Sequence, residues 1–115
     1  MPNARLVSNY RKARRTHESA LTELVPLLRQ MALATLVDVI DGASTIDAVG
    51  EFNEDWVPTL RIQRVLSADS TVLFDVETGH PDRAVEDAVD TVNIEYLDVL
   101  IDLTGDEYIG RVTID

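Results

Sequence analysis

The sequence contains no cysteine, only five glycines and only two histidines. Without cysteine it can form neither a disulfide framework nor a thiolate metal site, so cysteine usage does not indicate a redox compartment. The glycines form no phosphate-binding loop, and no serine is flanked by glycines as at a strand-to-helix nucleophile turn. The sequence therefore indicates neither nucleotide binding nor a catalytic triad. Its first residues lack the apolar run of a secretory signal, and we expect a cytoplasmic protein.

The 115 residues are enough for one hydrophobic core and too few for two. Apolar residues make up 45% of the chain, far above the level of disordered segments. The sequence has no internal repeat and no low-complexity linker. We therefore expect a single folded domain at residues 16–115, preceded by a basic arm or short helix at residues 1–15.

Basic and acidic residues are divided unevenly along the chain. The 100 residues after the arm contain five arginines and 21 acidic residues, which gives them a formal charge of −16. Such a surface repels phosphate backbones and anionic lipid, so we expect nucleic acid to bind only through the arm, and no membrane to bind. A basic protein partner fits this charge, although acidity that only keeps the chain soluble also explains it. The arm carries +5 with no acidic residue, from Arg5, Arg11, Lys12, Arg14 and Arg15.

A long helix is predicted from Thr16, which can cap it, to Ile40, before Gly42 stops it. Pro26 interrupts this stretch, because proline lacks an amide hydrogen and clashes with the preceding turn. Either the helix kinks at Pro26 or a second helix begins at Val25.

Apolar residues cover most of the circumference of this helix. One small sheet cannot bury them all, so the helix must be covered on more than one side. Burial by the arm and the sheet of the same chain, and burial in a dimer or larger ring, both satisfy this requirement. A membrane span is not predicted, because the 17 residues from Leu24 to Ile40 include Pro26, Arg29 and Asp38. The apolar residues that we assign to contacts with a partner are Leu24, Leu28 and Met31.

Strands are predicted in the middle of the chain, where the hydrophobic period changes to two. A short strand is expected at residues 46–52, a longer one at residues 56–66, and a partner strand after the turn at residues 67–70. The apolar face of the longer strand is predicted to carry Trp56, Pro58, Leu60, Ile62 and Leu66, and that of its partner Val72, Phe74 and Val76.

A shorter helix and a second hairpin are predicted to complete the fold. Pro81 favours a helix start, and an apolar stripe from Ala84 to Val92 follows it. Alternation predicts a strand at residues 95–103, and Gly105 and Asp106 form a two-residue turn to a returning strand. The expected fold class is α+β, in the order α-(β)ββ-α-ββ, with both helices on one face of a four- or five-stranded, mostly antiparallel sheet.

One acidic string invites a metal-site interpretation. The segment from Asp75 to Gly79 resembles the first motif of the proofreading-type exonucleases, in which acidic residues hold two metal ions that activate water. The resemblance covers about ten residues, and the sequence contains no comparable later motif. Asp75, Glu77, His80 and Asp82 are candidate metal ligands; alternatively, these residues decorate an exposed edge. We expect no cofactor.

These observations favour binding and assembly over catalysis. The predicted function is a non-catalytic interaction or assembly subunit that self-associates through the apolar helix and the arm, as a component of a viral or other multi-subunit particle. The first alternative is an acidic inhibitor or immunity-type protein that binds a basic toxin or nuclease by mimicking phosphate charge. The residues it would present are Glu86, Asp87, Asp90, Asp98 and Asp102. The second is a metal-dependent hydrolase around Asp75 and Glu77.

Overall fold

The computed structural model of the chain describes residues 4–115, and of Gly105 and Asp106 the backbone alone. The fold is α+β, as the sequence predicts: a long N-terminal helix, a four-stranded antiparallel sheet and a second helical segment that precedes the last strand. The elements are α1 (Ala4–Val37), β1 (Ala43–Phe52), β2 (Pro58–Ser67), β3 (Val72–Asp75), α2 (Arg83–Thr91), a π-helical turn (Val92–Leu97), α3 (Asp98–Thr104), a 3₁₀ turn (Gly105–Tyr108) and β4 (Gly110–Ile114).

Helix α1 continues through Pro26 without ending. Proline leaves the carbonyl of Thr22 without its helical hydrogen bond, but Thr22 is exposed and water can replace the missing donor. Residues 4–15 of the expected arm form the first third of this same helix, and residues 1–3 lie outside the described residues. The helix ends at Val37, three residues before the predicted end at Ile40, and Gly42, with a φ of +82°, lies in the turn that leads to β1.

The sheet has the strand order β3-β2-β1-β4, with every neighbouring pair antiparallel. A bulge interrupts the pairing of β1 with β2, because Asp47 pairs with Arg64 whereas Ala48 pairs with Ile62. The extra residue, Gln63, reverses the alternation of β2, since one inserted residue turns the following side chains to the other face. For this reason Val65 is buried, and not Leu66 as the period-two pattern predicts.

The core lies between one face of the sheet and the helices. Its buried residues come from every strand and every helix. The side chain of Asn93, in the π-helical turn, accepts a hydrogen bond from the amide of Ile62 at 2.9 Å, beside the bulge. This bond fixes the second helical segment to the sheet. The fully buried large side chains include Leu36, Ile46, Leu60, Ile62, Leu97, Leu100, Ile101 and Ile114.

The strand predicted at residues 95–103 is wrong, because this segment is helical. Its apolar residues fit both the two-residue period of a strand and the 3.6-residue period of a helix. The buried ones are Leu97, Leu100 and Ile101, three and four residues apart as in a helix, while Val99 is exposed. No glycine or proline between residues 83 and 104 stops the helix begun at α2. The turn expected at Gly105 is a 3₁₀ turn, and only one strand, β4, follows it among the described residues.

The predicted start of the longer strand is also wrong. Trp56 belongs to the turn between β1 and β2, where it has a φ of +60° and is 79% exposed. The side chain of Asn53 accepts hydrogen bonds from the amides of Asp55 and Val57, and this local capping closes the turn before the strand begins at Pro58. Val76, expected on the apolar face of the partner strand, lies beyond β3 and is exposed.

Candidate functional site

Helix α1 has a side that packs on its own domain. Ala32 and Leu36 are fully buried, and Val25, Leu28 and Leu33 are partly buried against the core. Of the three apolar residues that the sequence assigned to partner contacts, Leu28 therefore lies on the domain side.

Arg29 anchors the same side of α1 by hydrogen bonds. Its guanidinium donates to the hydroxyl of Tyr108 and to the carbonyl of Thr113, each at 3.0 Å. Because both acceptors lie at the end of the chain, these bonds tie the middle of α1 to the edge of the sheet. The C-terminal half of the helix is thus fixed in position.

A second side of α1 is apolar and exposed. Leu24, Leu27 and Met31 are 43%, 51% and 47% exposed, beside the segment that packs on the domain. Nearer the N-terminus of the helix, Leu6 and Tyr10 are 66% and 64% exposed. The domain of the same chain does not enclose the helix. Among the described residues, the predicted burial of the helix by the arm and the sheet of its own chain therefore does not occur.

Residues that are mostly apolar and mostly exposed follow a regular spacing along the helix; His17 is the polar exception and Ala20 is half-buried. Intervals of four and three residues alternate over the whole stripe, the repeat that places side chains on one seam of a coiled coil. The prediction from sequence missed this repeat because it separated the arm from the main helix. The positions of this stripe, hereafter the α1 stripe, are Leu6, Tyr10, Ala13, His17, Ala20, Leu24, Leu27, Met31 and Ala34.

The N-terminal part of α1, nearly half of the helix, projects from the domain. Residues 4–19 are exposed except for Val7, and the molecule measures 64 × 30 × 23 Å because the helix extends beyond the sheet. All five predicted basic contact residues lie on this projecting part. Arg14 pairs with Glu18 one turn further on, at 3.3 Å. Among the described residues no acidic side chain pairs with Arg11, Lys12 or Arg15.

Helix α1 is also long and apolar enough to cross a membrane. An 18-residue window has a mean hydropathy of 1.3, and 11% of that window is buried in the protein. The core helix of a folded domain and a signal sequence meet the same criterion. In this chain Leu36 is enclosed in the core and Arg29 is hydrogen-bonded to the sheet edge, which ties the apolar half of α1 to a folded domain.

Three of the four candidate metal ligands, Asp75, His80 and Asp82, make hydrogen bonds or ion pairs within the fold, and Glu77 is exposed. Asp75 pairs with Arg64 at 3.2 Å and also accepts a hydrogen bond from the amide of Glu77. Asp82 caps α2 by accepting from the amide two residues on, and its own amide donates to Nδ1 of His80 at 3.0 Å. Among the described residues no group of three or more acidic or histidine side chains is placed to hold a metal ion.

The acidic residues of α2 are not a uniform charged face. Oε1 of Glu86 accepts a hydrogen bond from the amide of His80 at 2.7 Å, so this carboxylate closes the turn before the helix. Asp87 lies 3.9 Å from Arg83 on the exposed side, and Asp90 is exposed. Asp98, on α3, pairs with Arg61 of β2, and Asp102 is exposed. Of the five residues proposed to mimic phosphate, Glu86 and Asp98 are therefore engaged within the fold.

Sequence reasoning also missed a charged cluster on the sheet. Arg111 of β4 donates two hydrogen bonds of 3.1 Å to Asp47 of β1, which is 7% exposed. The hydrogen bond and the charge of Asp47 raise the pKa of Arg111. These two residues line one depression together with Arg64 and Asp75 of the neighbouring strands. The sequence signal that could have indicated this cluster is the position of Asp47 between Ile46 and Ala48 in a predicted strand.

The comparison with known proteins adds no relative to these observations. The chain matches no protein-family model, and neither curated proteins nor solved structures are significantly similar to it.

Proposed function

We propose that the protein is a non-catalytic assembly subunit that self-associates through helix α1. The α1 stripe is the observation that carries this proposal: a mostly apolar seam, interrupted by His17, that runs along a helix whose other side is fixed to the domain. A contiguous exposed apolar surface of this kind marks an interaction site in a folded protein. Its heptad-like spacing fits another helix of the same kind.

The projecting part of α1 supports the same proposal. Sixteen residues, 4–19, extend beyond the domain, and an isolated helix of that length is marginal in water. The single i,i+4 pair of Arg14 with Glu18 contributes only about 0.3–0.5 kcal/mol. Contact with a second helix supplies the missing stabilisation, because tertiary packing provides most of the stability of helices in proteins.

The engaged acidic residues favour assembly over the two alternatives. Asp75, around which the hydrolase alternative is built together with Glu77, is held by Arg64, and the candidate ligand Asp82 caps α2. Glu86, which an inhibitor would present to a basic enzyme, is held by a backbone amide. The stripe residues Leu24 and Leu27, in contrast, have large exposed surfaces.

The test is the solution mass of a variant in which the three stripe residues nearest the domain, Leu24, Leu27 and Met31, are each replaced by Gln. Each of these half-exposed side chains contributes about 1 kcal/mol on burial. Losing three per subunit should raise the dissociation constant at least about a hundredfold. A matched control replaces Ser19 and Thr22, which are exposed and off the stripe, by Gln and should associate like the original chain.

Multi-angle light scattering after size-exclusion chromatography, over a range of protein and salt concentrations, gives the masses. A monomer at every concentration for the original chain contradicts the proposal. Flotation of the chain with lipid vesicles instead of self-association would support a membrane role. Capture of a basic nuclease by a monomeric chain would support the inhibitor alternative.

A further inference from the structure

We infer that the two α1 helices pair antiparallel, so that the basic N-terminal third of each lies along the acidic domain of the other. This inference rests on the proposed self-association and adds the identity of the contacting surfaces and their orientation. Its basis is the division of charge along α1, together with the order of large and small residues in the α1 stripe.

The distribution of charge along the chain favours antiparallel over parallel pairing of the two α1 helices. In a parallel pair the projecting segments, each with the cations Arg11, Lys12, Arg14 and Arg15 within residues 4–15, would lie side by side and repel. In an antiparallel pair each segment lies beside the C-terminal half of the other helix and the domain attached to it. That half continues into Asp38 and Asp41, and the residues after the arm carry −16 in total. Complementary charge of this kind fixes the orientation of an interface.

The antiparallel register avoids layers in which two alanines face each other, and it places the large residue Leu24 opposite the small residue Ala13. With Leu6 beside Met31 of the second copy, Leu24 lies opposite Ala13, and the two Ala20 positions lie opposite the two His17 positions. Small residues opposite large ones let the side chains of facing helices interdigitate. Tyr10 then lies opposite Leu27, and no layer places two alanines together.

The dimensions of α1 allow this pairing. Leu6 and Met31 are 25 residues apart in the sequence, which corresponds to about 38 Å of helix at the standard rise of 1.5 Å per residue. Leu6 is exposed at the projecting end, and Leu24 and Met31 are exposed beside the domain. Both ends of the stripe are therefore accessible to a second copy.

Disulfide crosslinking tests the orientation, and the absence of natural cysteine gives it no background. Two single variants, Leu6→Cys and Met31→Cys, are prepared separately, and a 1:1 mixture is oxidised under mild conditions. A disulfide requires Cβ atoms about 3.5–4.5 Å apart. We expect the mixture to give a crosslinked dimer of the two variants, and each variant alone to give little. Thr22→Cys, at an exposed position off the stripe, is the control and should not crosslink.

The outcomes separate this inference from the proposed function. If each variant crosslinks with itself and mixing adds nothing, the helices are parallel; the inference is then overturned while self-association stands. A dimeric mass without any crosslink also overturns it. A monomeric mass removes both proposals.

A charge variant gives a second readout of the same inference. Replacing Arg11, Lys12 and Arg15 together by Glu should weaken the antiparallel dimer at least tenfold at low salt, because the added acids would face an acidic domain. An unchanged or tighter association would overturn the inference, since parallel arms would lose their repulsion.

Discussion

The same substitution should have different effects on the two sides of helix α1: on the domain side it should lower the stability of the monomer, and on the α1 stripe it should weaken association. Leu36 is fully buried between the helix and the sheet, whereas Leu27 is 51% exposed on the α1 stripe. Both residues lie on one helix and can both be changed to Ala, which keeps the helix propensity high. The pair therefore isolates the effect of position from that of the side chain.

The magnitudes follow from the burial of each leucine. Leu36→Ala removes a fully enclosed side chain and leaves a cavity, which costs about 2–5 kcal/mol of unfolding free energy. Leu27→Ala removes a side chain that keeps half of its surface in water, so the loss in the monomer is about 1 kcal/mol or less. In the associated state Leu27 is covered, and the variant should lose that additional stabilisation.

Urea unfolding monitored by circular dichroism, at a low and a high protein concentration, measures both effects. For the original chain the unfolding midpoint should rise with protein concentration. Leu36→Ala should lower the midpoint at both concentrations and keep the concentration dependence, whereas Leu27→Ala should lose the concentration dependence and change little at low concentration. Equal destabilisation by the two variants in the dilute monomer would refute the assignment of two sides.

Three further substitutions test the fold around this helix. Arg111→Ala leaves Asp47, a 7% exposed carboxylate, without its partner, and should lower the midpoint of chemical denaturation; an unchanged midpoint would show that the pair contributes nothing. Gly50→Ala should prevent folding, seen as loss of the native amide spectrum, because the added Cβ would lie 1.8 Å from a backbone carbonyl oxygen before β4; a folded variant of normal stability would contradict that contact. Asp69 has a pKa below its ordinary 3.8 because of a side-chain hydrogen bond from Ser67 and further bonds from the turn. Its contribution to stability is present above that ordinary value and is lost as the pH falls through the lowered pKa, so Asp69→Asn should be less stable than the original chain at neutral pH and the difference should vanish in acid. A difference that is constant with pH would contradict this.

The fold class could be predicted because its elements follow from local patterns. The turn at residues 67–70 and the pairing of β2 with β3 come from a turn-forming string between two alternating runs. The helix after Pro81 could be predicted from this proline and from the apolar stripe that follows it, whereas its cap, Asp82, was considered as a metal ligand. In these places the nearest residues in sequence decide the structure.

The errors occur where tertiary contacts decide. Residues 97–103 fit a strand and a helix, and the choice depends on contact with the sheet, including the bond of Asn93 to Ile62. The bulge at Gln63, which buries Val65 instead of Leu66, depends on how β1 and β2 pair. Neither contact is visible in a local window of sequence.

The candidate site could be predicted in part. Leu24 and Met31 were assigned to partner contacts and are exposed on the stripe, while Leu28 lies on the domain side. Hydrophobicity alone shows that α1 is apolar on several sides. Which side faces the domain depends on the crossing of α1 over the sheet, which Arg29 and Leu36 fix.

The most direct measurement is the molar mass of the unmodified chain by sedimentation equilibrium across a hundredfold range of protein concentration. The account predicts a mass that rises from that of one 12.8 kDa chain to at least twice that value. A single 12.8 kDa species over the whole range would contradict the central claim that the exposed side of α1 binds a second copy.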